Sequence, residues 1–110
     1  MNIHRLYASF NARDIPSILP LLHPNVHWPN GWEGGYVDGP DQVKAYWLRQ
    51  WQALDPTVNP EKIEELPDGR VKVTVHQVVK DLQGNVLNDG YVIHVYAFDN
   101  DLITTMEIES

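Results

Sequence analysis

Apolar residues near the N-terminus recur at the three-and-four spacing of one helix face: Ile3, Leu6, Tyr7 and Phe10. Asn11-Ala12-Arg13-Asp14 breaks that pattern with a polar stop. Asp14 is placed to cap a second short helix, with Pro16 accommodated in its first turn and Ile15, Ile18, Leu19 and Leu22 on its apolar side. From His23 to Gly39, clusters of Pro and Gly surround Val26-His27-Trp28 and Gly35-Tyr36-Val37, which predicts short extended pieces joined by turns. A third helix is expected with Gly39 at the cap and Pro40 at the first helical position. It carries Val43, Tyr46, Trp47, Gln50, Trp51 and Leu54 at helical spacing, and Asp55-Pro56 ends it.

The period then changes from that of a helix to that of a strand. Val71, Val73, Val75 and Val79 alternate with Lys72, Thr74, His76 and Lys80, as in a half-exposed strand. Pro67-Asp68-Gly69 predicts a turn and Gln83-Gly84-Asn85 a hairpin. Asn100-Asp101 predicts a second hairpin, between a strand Tyr91 to Phe98 and a strand Leu102 to Ile108. Helices first and an antiparallel meander after them indicate an α+β layered domain in which one sheet covers the helices.

Composition narrows the classes without naming an activity. A chain of 110 residues fits one domain, residues 1–110, and its 43% hydrophobic content supports a packed core. Eight Lys plus Arg against fifteen Asp plus Glu leave a net charge of −7, so neither nucleic acid nor an anionic membrane surface is an expected partner. No apolar run has the length of a membrane span, and Met-Asn-Ile-His-Arg lacks the apolar core of a signal peptide, which together predict a soluble, cytoplasmic protein. With no Cys there is neither a disulfide nor a thiolate nucleophile.

Four strings carry a resemblance across nearly the whole chain: Tyr7-Ala-Ser-Phe-Asn-Ala-Arg-Asp-Ile15, Leu22-His-Pro-Asn-Val26, Gly39-Pro-Asp-Gln-Val-Lys-Ala-Tyr-Trp47, and Phe98-Asp99 to Met106. In them the chain resembles the nuclear-transport-factor-2-like superfamily, which includes ketosteroid isomerase and the SnoaL-like polyketide cyclases. The resemblance implies a cystatin-like, curved, mostly antiparallel sheet wrapped as a cone around the N-terminal helices. It also implies a pocket at the open end and a homodimer paired through the sheet's outer face. The isomerases place a general-base Asp where this chain has Trp28, which cannot take a proton. Their oxyanion-hole Tyr matches Leu6, one residue before Tyr7, and their protonated Asp matches His94.

Alternation places Val92, His94, Tyr96 and Phe98 on one face and Ile93, Val95 and Ala97 on the other. If the first face is the inner one, His94 is an imidazole in an apolar pocket, suited either to acid–base work or to a hydrogen bond with a neighbour such as Tyr7. The other row then forms an apolar outer strip that a monomer leaves wet. A two-residue Gly84-Asn85 loop puts His76 opposite His94, whereas a three-residue Gln83-Gly84-Asn85 loop brings both to one face. The former sends His76 to the exterior or an interface and Gln77 into the pocket. Between His27 and Tyr36, two Trp, one carboxylate and three Gly suit either a ligand-covering loop or an aromatic plug of the cone. Glu33, in that aromatic setting, is the candidate for a raised carboxyl pKa.

The expectation is therefore a binder of a small apolar metabolite, with cofactor-free isomerase, cyclase or dehydratase chemistry. His94 would be the proton carrier, Glu33 or His27 its catalytic partner, and Tyr7, Trp28, Trp32, Gln77 and Tyr96 the ligand-binding walls. The alternative is a non-catalytic binding or dimerisation domain of the same fold. His23, His27 and Glu33 lack the spacing of a metal site, so no metal and no cofactor are expected.

Overall fold

A computed structural model describes residues 1–109. Its elements are α1 (Ile3–Asn11), α2 (Ile15–Ile18), a 3-10 turn (Leu19–Leu21), β1 (Leu22–Pro29), β2 (Tyr36–Asp38), α3 (Gly39–Trp51), β3 (Leu54–Glu65), β4 (Val71–Asp81), β5 (Val86–Asp99) and β6 (Leu102–Glu109). The strands form one curved, unclosed sheet in the order β2-β1-β6-β5-β4-β3. Neighbours run antiparallel except β1 and β6, which are parallel. The helices lie against the inner face of the sheet, as the α+β reading and the resemblance expect.

Local chemistry accounts for the element ends. Asn2 caps α1, its side-chain oxygen accepting from the Arg5 N–H at 3.1 Å. The polar stop after α1 works through Arg13, whose φ of 61° is left-handed and strained for a residue with a Cβ. Its guanidinium offsets that strain by donating to Asp55 at 2.6 Å and to the Pro56 carbonyl at 2.8 Å, while lying over the Phe10 and Trp51 rings. Asn11 ties the same helix end to the sheet, donating to the Val58 carbonyl at 2.7 Å and accepting from the Val58 N–H at 2.9 Å. Asn100 and Asp101 both have positive φ, as a two-residue hairpin whose twist matches its strands requires.

Several boundaries differ from the sequence pattern. The second helix stops at Ile18 because Pro20 has no N–H to continue it, so the chain tightens into a 3-10 turn and Leu22 opens β1. The third helix stops at Trp51, three residues before Leu54, since Asp55 precedes a proline and favours extended backbone. Leu54 instead begins β3, a twelve-residue strand that the sequence pattern left unassigned. Pro56 and Pro60 obscure it, yet both are tolerated because β3 pairs on one side alone, with β4.

The β4–β5 hairpin resolves the question of His76 by a route that neither proposed loop describes. Asp81 N–H donates to Asn85 O at 2.9 Å, closing a Leu82-Gln83-Gly84 loop with Gly84 at φ 91°. That pairing would put His76 and His94 on one face. A bulge follows, since Lys80 pairs with Val86 but Val79 with Asn88, and it shifts the register by one residue. Val73 therefore sits opposite His94, Gln77 opposite Gly90, and His76 turns outward with Tyr91.

The core gathers between sheet and helices around Ile18, Val26, Val43, Trp47, Val73, Val75 and Ile103. The outer strip is drier than expected: Val95 is 6% exposed in the single chain, flanked in register by Lys72 and Glu107. Ile93 and Ala97 are half-buried, and Tyr91 is the residue of this strand that stands out, at 67% exposed. No helix among the described residues is long and apolar enough to cross a membrane.

Candidate functional site

A cavity of about 450 Å³ lies between the concave face of the sheet and helices α1 and α3. Leu6, Tyr7 and Phe10 reach it from α1, and Tyr46, Trp47 and Gln50 from α3. The strands supply Trp28, Val58, Gln77, Val92, His94, Tyr96 and Met106, among others. The helical spacing of 6, 7 and 10, and of 46, 47 and 50, is what turns those side chains inward together. Trp28 stands edge-on to Trp47, with ring centroids 5.4 Å apart at 89°, so the aromatic walls brace one another.

At one end three polar side chains form a chain of hydrogen bonds. The Tyr7 hydroxyl lies 2.8 Å from His94 Nδ1 and 2.8 Å from the Tyr96 hydroxyl. All three residues are buried. Two proton arrangements satisfy this chain. Either Tyr96 donates to Tyr7 and Tyr7 to His94 Nδ1, which leaves the histidine proton on Nε2, or His94 Nδ1–H donates to Tyr7 and Tyr7 to Tyr96, whose own proton then turns to the cavity it lines.

Burial sets the charge states of this chain. It pushes His94 down from 6.5 to about 4, so the imidazole is neutral near pH 7. Burial pushes the phenols of Tyr7 and Tyr96 up, for Tyr7 with reinforcement from its neighbour Tyr96. None of these three side chains therefore ionises near neutrality. Among the described residues no Asp, Glu, Lys or Arg lines the cavity.

Of the expected site residues, the fold brings Tyr7, Trp28, Gln77, His94 and Tyr96 to one cavity and places Glu33, His27 and Trp32 outside it. Glu33 is corrected in both position and charge. It accepts from Arg49 at 3.0 Å and from Asn30 at 2.8 Å, and these bonds, Arg49 first, hold its carboxyl below the usual range instead of raising it. His27 faces the outer side, 2.6 Å from Asp38 and stacked on Tyr36. Trp32 is 40% exposed and forms no wall. His23 lies 3.4 Å from Asp99, so His23, His27 and Glu33 each have a separate partner.

The loop they occupy is organised from beneath by Asn30, which is buried although polar. Its side-chain oxygen accepts from the N–H groups of Trp32 at 3.2 Å and Glu33 at 2.7 Å, and its amide holds the Glu33 carboxylate. Only Pro29 and Gly31 of this segment, besides Trp28, reach the cavity. Sequence reasoning missed the lining role of Gln50, although it lies one turn from Tyr46 and Trp47 on the stripe already read as inward-facing.

Comparisons with known proteins agree with this fold. The family described as SnoaL-like domain matches residues 3–106. Among solved structures, TerC co-crystallised with polyporic acid is 29% identical, with a TM-score of 0.83, covering 97% of this chain and 86% of that one. An NTF2-like protein of unknown function from Burkholderia pseudomallei is 24% identical with a TM-score of 0.84, covering 97% and 86%. A Mycobacterium tuberculosis protein in complex with estradiol-17beta-hemisuccinate shares the fold at 17% identity and a TM-score of 0.82, covering 96% and 88%. No curated protein matches the sequence.

Proposed function

The chain belongs to the SnoaL-like domain family, and from that premise we propose that it binds a small, largely apolar, uncharged ligand inside the cone, with His94 Nε2–H as hydrogen-bond donor to a ligand oxygen. The observation that carries this reading is a buried, neutral imidazole, hydrogen-bonded through Nδ1 to Tyr7, that lines a cavity presenting no charged side chain among the described residues. An anionic ligand would enter without a counter-charge, whereas a carbonyl would find a partner and keep its apolar body against Trp28, Trp47 and Met106. Relatives of this fold hold ring-bearing molecules, polyporic acid and estradiol-17beta-hemisuccinate, which supports the apolar body of the ligand; both carry acidic groups, so the uncharged character proposed here rests on this cavity's own lining.

The same hydrogen bond polarises a bound carbonyl, as the first step of an isomerisation or cyclisation would need. Proton abstraction by a carboxylate has no residue here: Trp28 occupies that position, and Glu33 is committed to Arg49 outside the cavity. His94 is accordingly a donor and not a base. The outer sheet face with its protruding Tyr91 pairs with a second copy of the chain in this reading, and sedimentation as a 12.6 kDa species at micromolar concentration would refute that part.

Titration with androst-4-en-3-one, a neutral ring ketone, tests the binding reading. Saturable quenching of tryptophan emission through Trp28 and Trp47 is expected, with affinity about tenfold weaker in His94→Leu. Absence of saturable quenching in the wild-type chain overturns it.

A further inference from the structure

The cavity has a second polar station, far from the hydrogen-bonded chain. Gln77 enters from β4 and Gln50 from α3, and both line the same cavity as His94. Both residues are half-buried, and neither amide is an orphaned buried group. An amide at the border of an apolar cavity is matched by a hydroxyl, a carbonyl or water, not by hydrocarbon.

The register gives the separation. Val73 lies opposite His94, and Gln77 lies four residues further along the same strand, opposite Gly90. At about 3.3 Å of rise per residue, the two stations stand roughly 13 Å apart along the strand before the side chains lean in.

Resting on the ligand-binding reading above, we infer that the ligand is polar at both ends: an elongated, uncharged molecule with one oxygen received by His94 and a second, about one ring system away, received by the Gln50 and Gln77 amides. These two residues set specificity for the far end. They are binding residues, not catalytic ones, and the central aromatic walls are indifferent to which end enters first.

Two steroid probes separate this inference from the reading it rests on. Androst-4-ene-3,17-dione carries oxygen at both ends, and androst-4-en-3-one carries it at one. With the wild-type chain the dione is expected to bind about tenfold more tightly, the usual effect of one satisfied neutral hydrogen bond. In Gln50→Leu, Gln77→Leu the ratio of the two affinities should fall from about ten to about one, whatever change the two probes share; Gln77→Leu alone should remove part of the preference, and melting curves confirm that both variants fold. If androst-4-en-3-one binds but the dione is no tighter, or if the preference survives the double substitution, the two-ended inference fails while ligand binding stands. If neither probe binds, both fall.

Discussion

Two regions of this protein hold histidine, tyrosine and polar partners in close contact, and they differ in everything that matters for chemistry. Around the loop after β1, His27 faces Asp38, Glu33 faces Arg49, and Tyr36 donates to Glu107, all within reach of water. In the cavity wall, Tyr96, Tyr7 and His94 make a buried, uncharged chain of hydrogen bonds. The first arrangement is richer in charge and poorer in consequence, because exposed ion pairs are screened and contribute little. The second contains no formal charge, yet burial fixes its protonation states and aims one donor at the cavity. Desolvation, more than the inventory of titratable groups, separates a site from a solvated surface here.

The largest effect that would sharpen this contrast is pH-dependent. His94 titrates near 6.5 when unfolded and at about 4 when folded, so the unfolded chain takes up the proton first as pH falls. Stability from this group is complete above pH 6.5, declines between 6.5 and 4, and levels off below. Between pH 7 and pH 4 the wild-type chain should lose about 3 kcal/mol more than His94→Leu, measured by urea unfolding at each pH. Equal losses in the two proteins would place the histidine in water after all.

Tyr7→Phe is the next effect in size. It removes both hydrogen bonds of the chain, the one at His94 Nδ1 and the one at the Tyr96 hydroxyl, and should cost about 2 kcal/mol at pH 7 in the same assay. A neutral outcome would mean that cavity water replaces the phenol. Asn30→Ala should cost about 1 kcal/mol, because the N–H groups of Trp32 and Glu33 lose their acceptor, and hydrogen exchange at those two amides should accelerate. Glu33→Gln sits at the small end. No measurable shift in the urea midpoint and no change in the His94 titration by NMR are expected, and a moved His94 titration would join the two regions that the fold keeps apart.

Much of the fold was legible because it is written in local periods. The spacing of Ile3, Leu6, Tyr7 and Phe10, the Gly39-Pro40 start, and the alternation from Val71 are each explained by neighbours within a few residues. Strand β3 was not legible: its prolines forbid a central position, and only its place at the sheet edge makes them harmless. Glu33 misled for a related reason. Aromatic neighbours in sequence suggested a dry setting, whereas Arg49, sixteen residues away, supplies a cation on the outside.

The sequence by itself determined that three helices precede the sheet, where the chain turns, and which residues of β5 share a face, since these follow from backbone sterics and from a two- or 3.6-residue repeat; which of the two faces looks inward came with the resemblance. Which polar groups share one space was left to the tertiary structure. Tyr7 and His94 are 87 positions apart, and their contact depends on how α1 lies against a sheet whose register a single bulge at Val79 and Lys80 corrects by one residue. Without that bulge His76 would look inward in place of Gln77, and the cavity would carry a second imidazole where it now carries an amide. A one-residue offset costs little in local energy and inverts every side chain beyond it, which is why no local pattern could announce it.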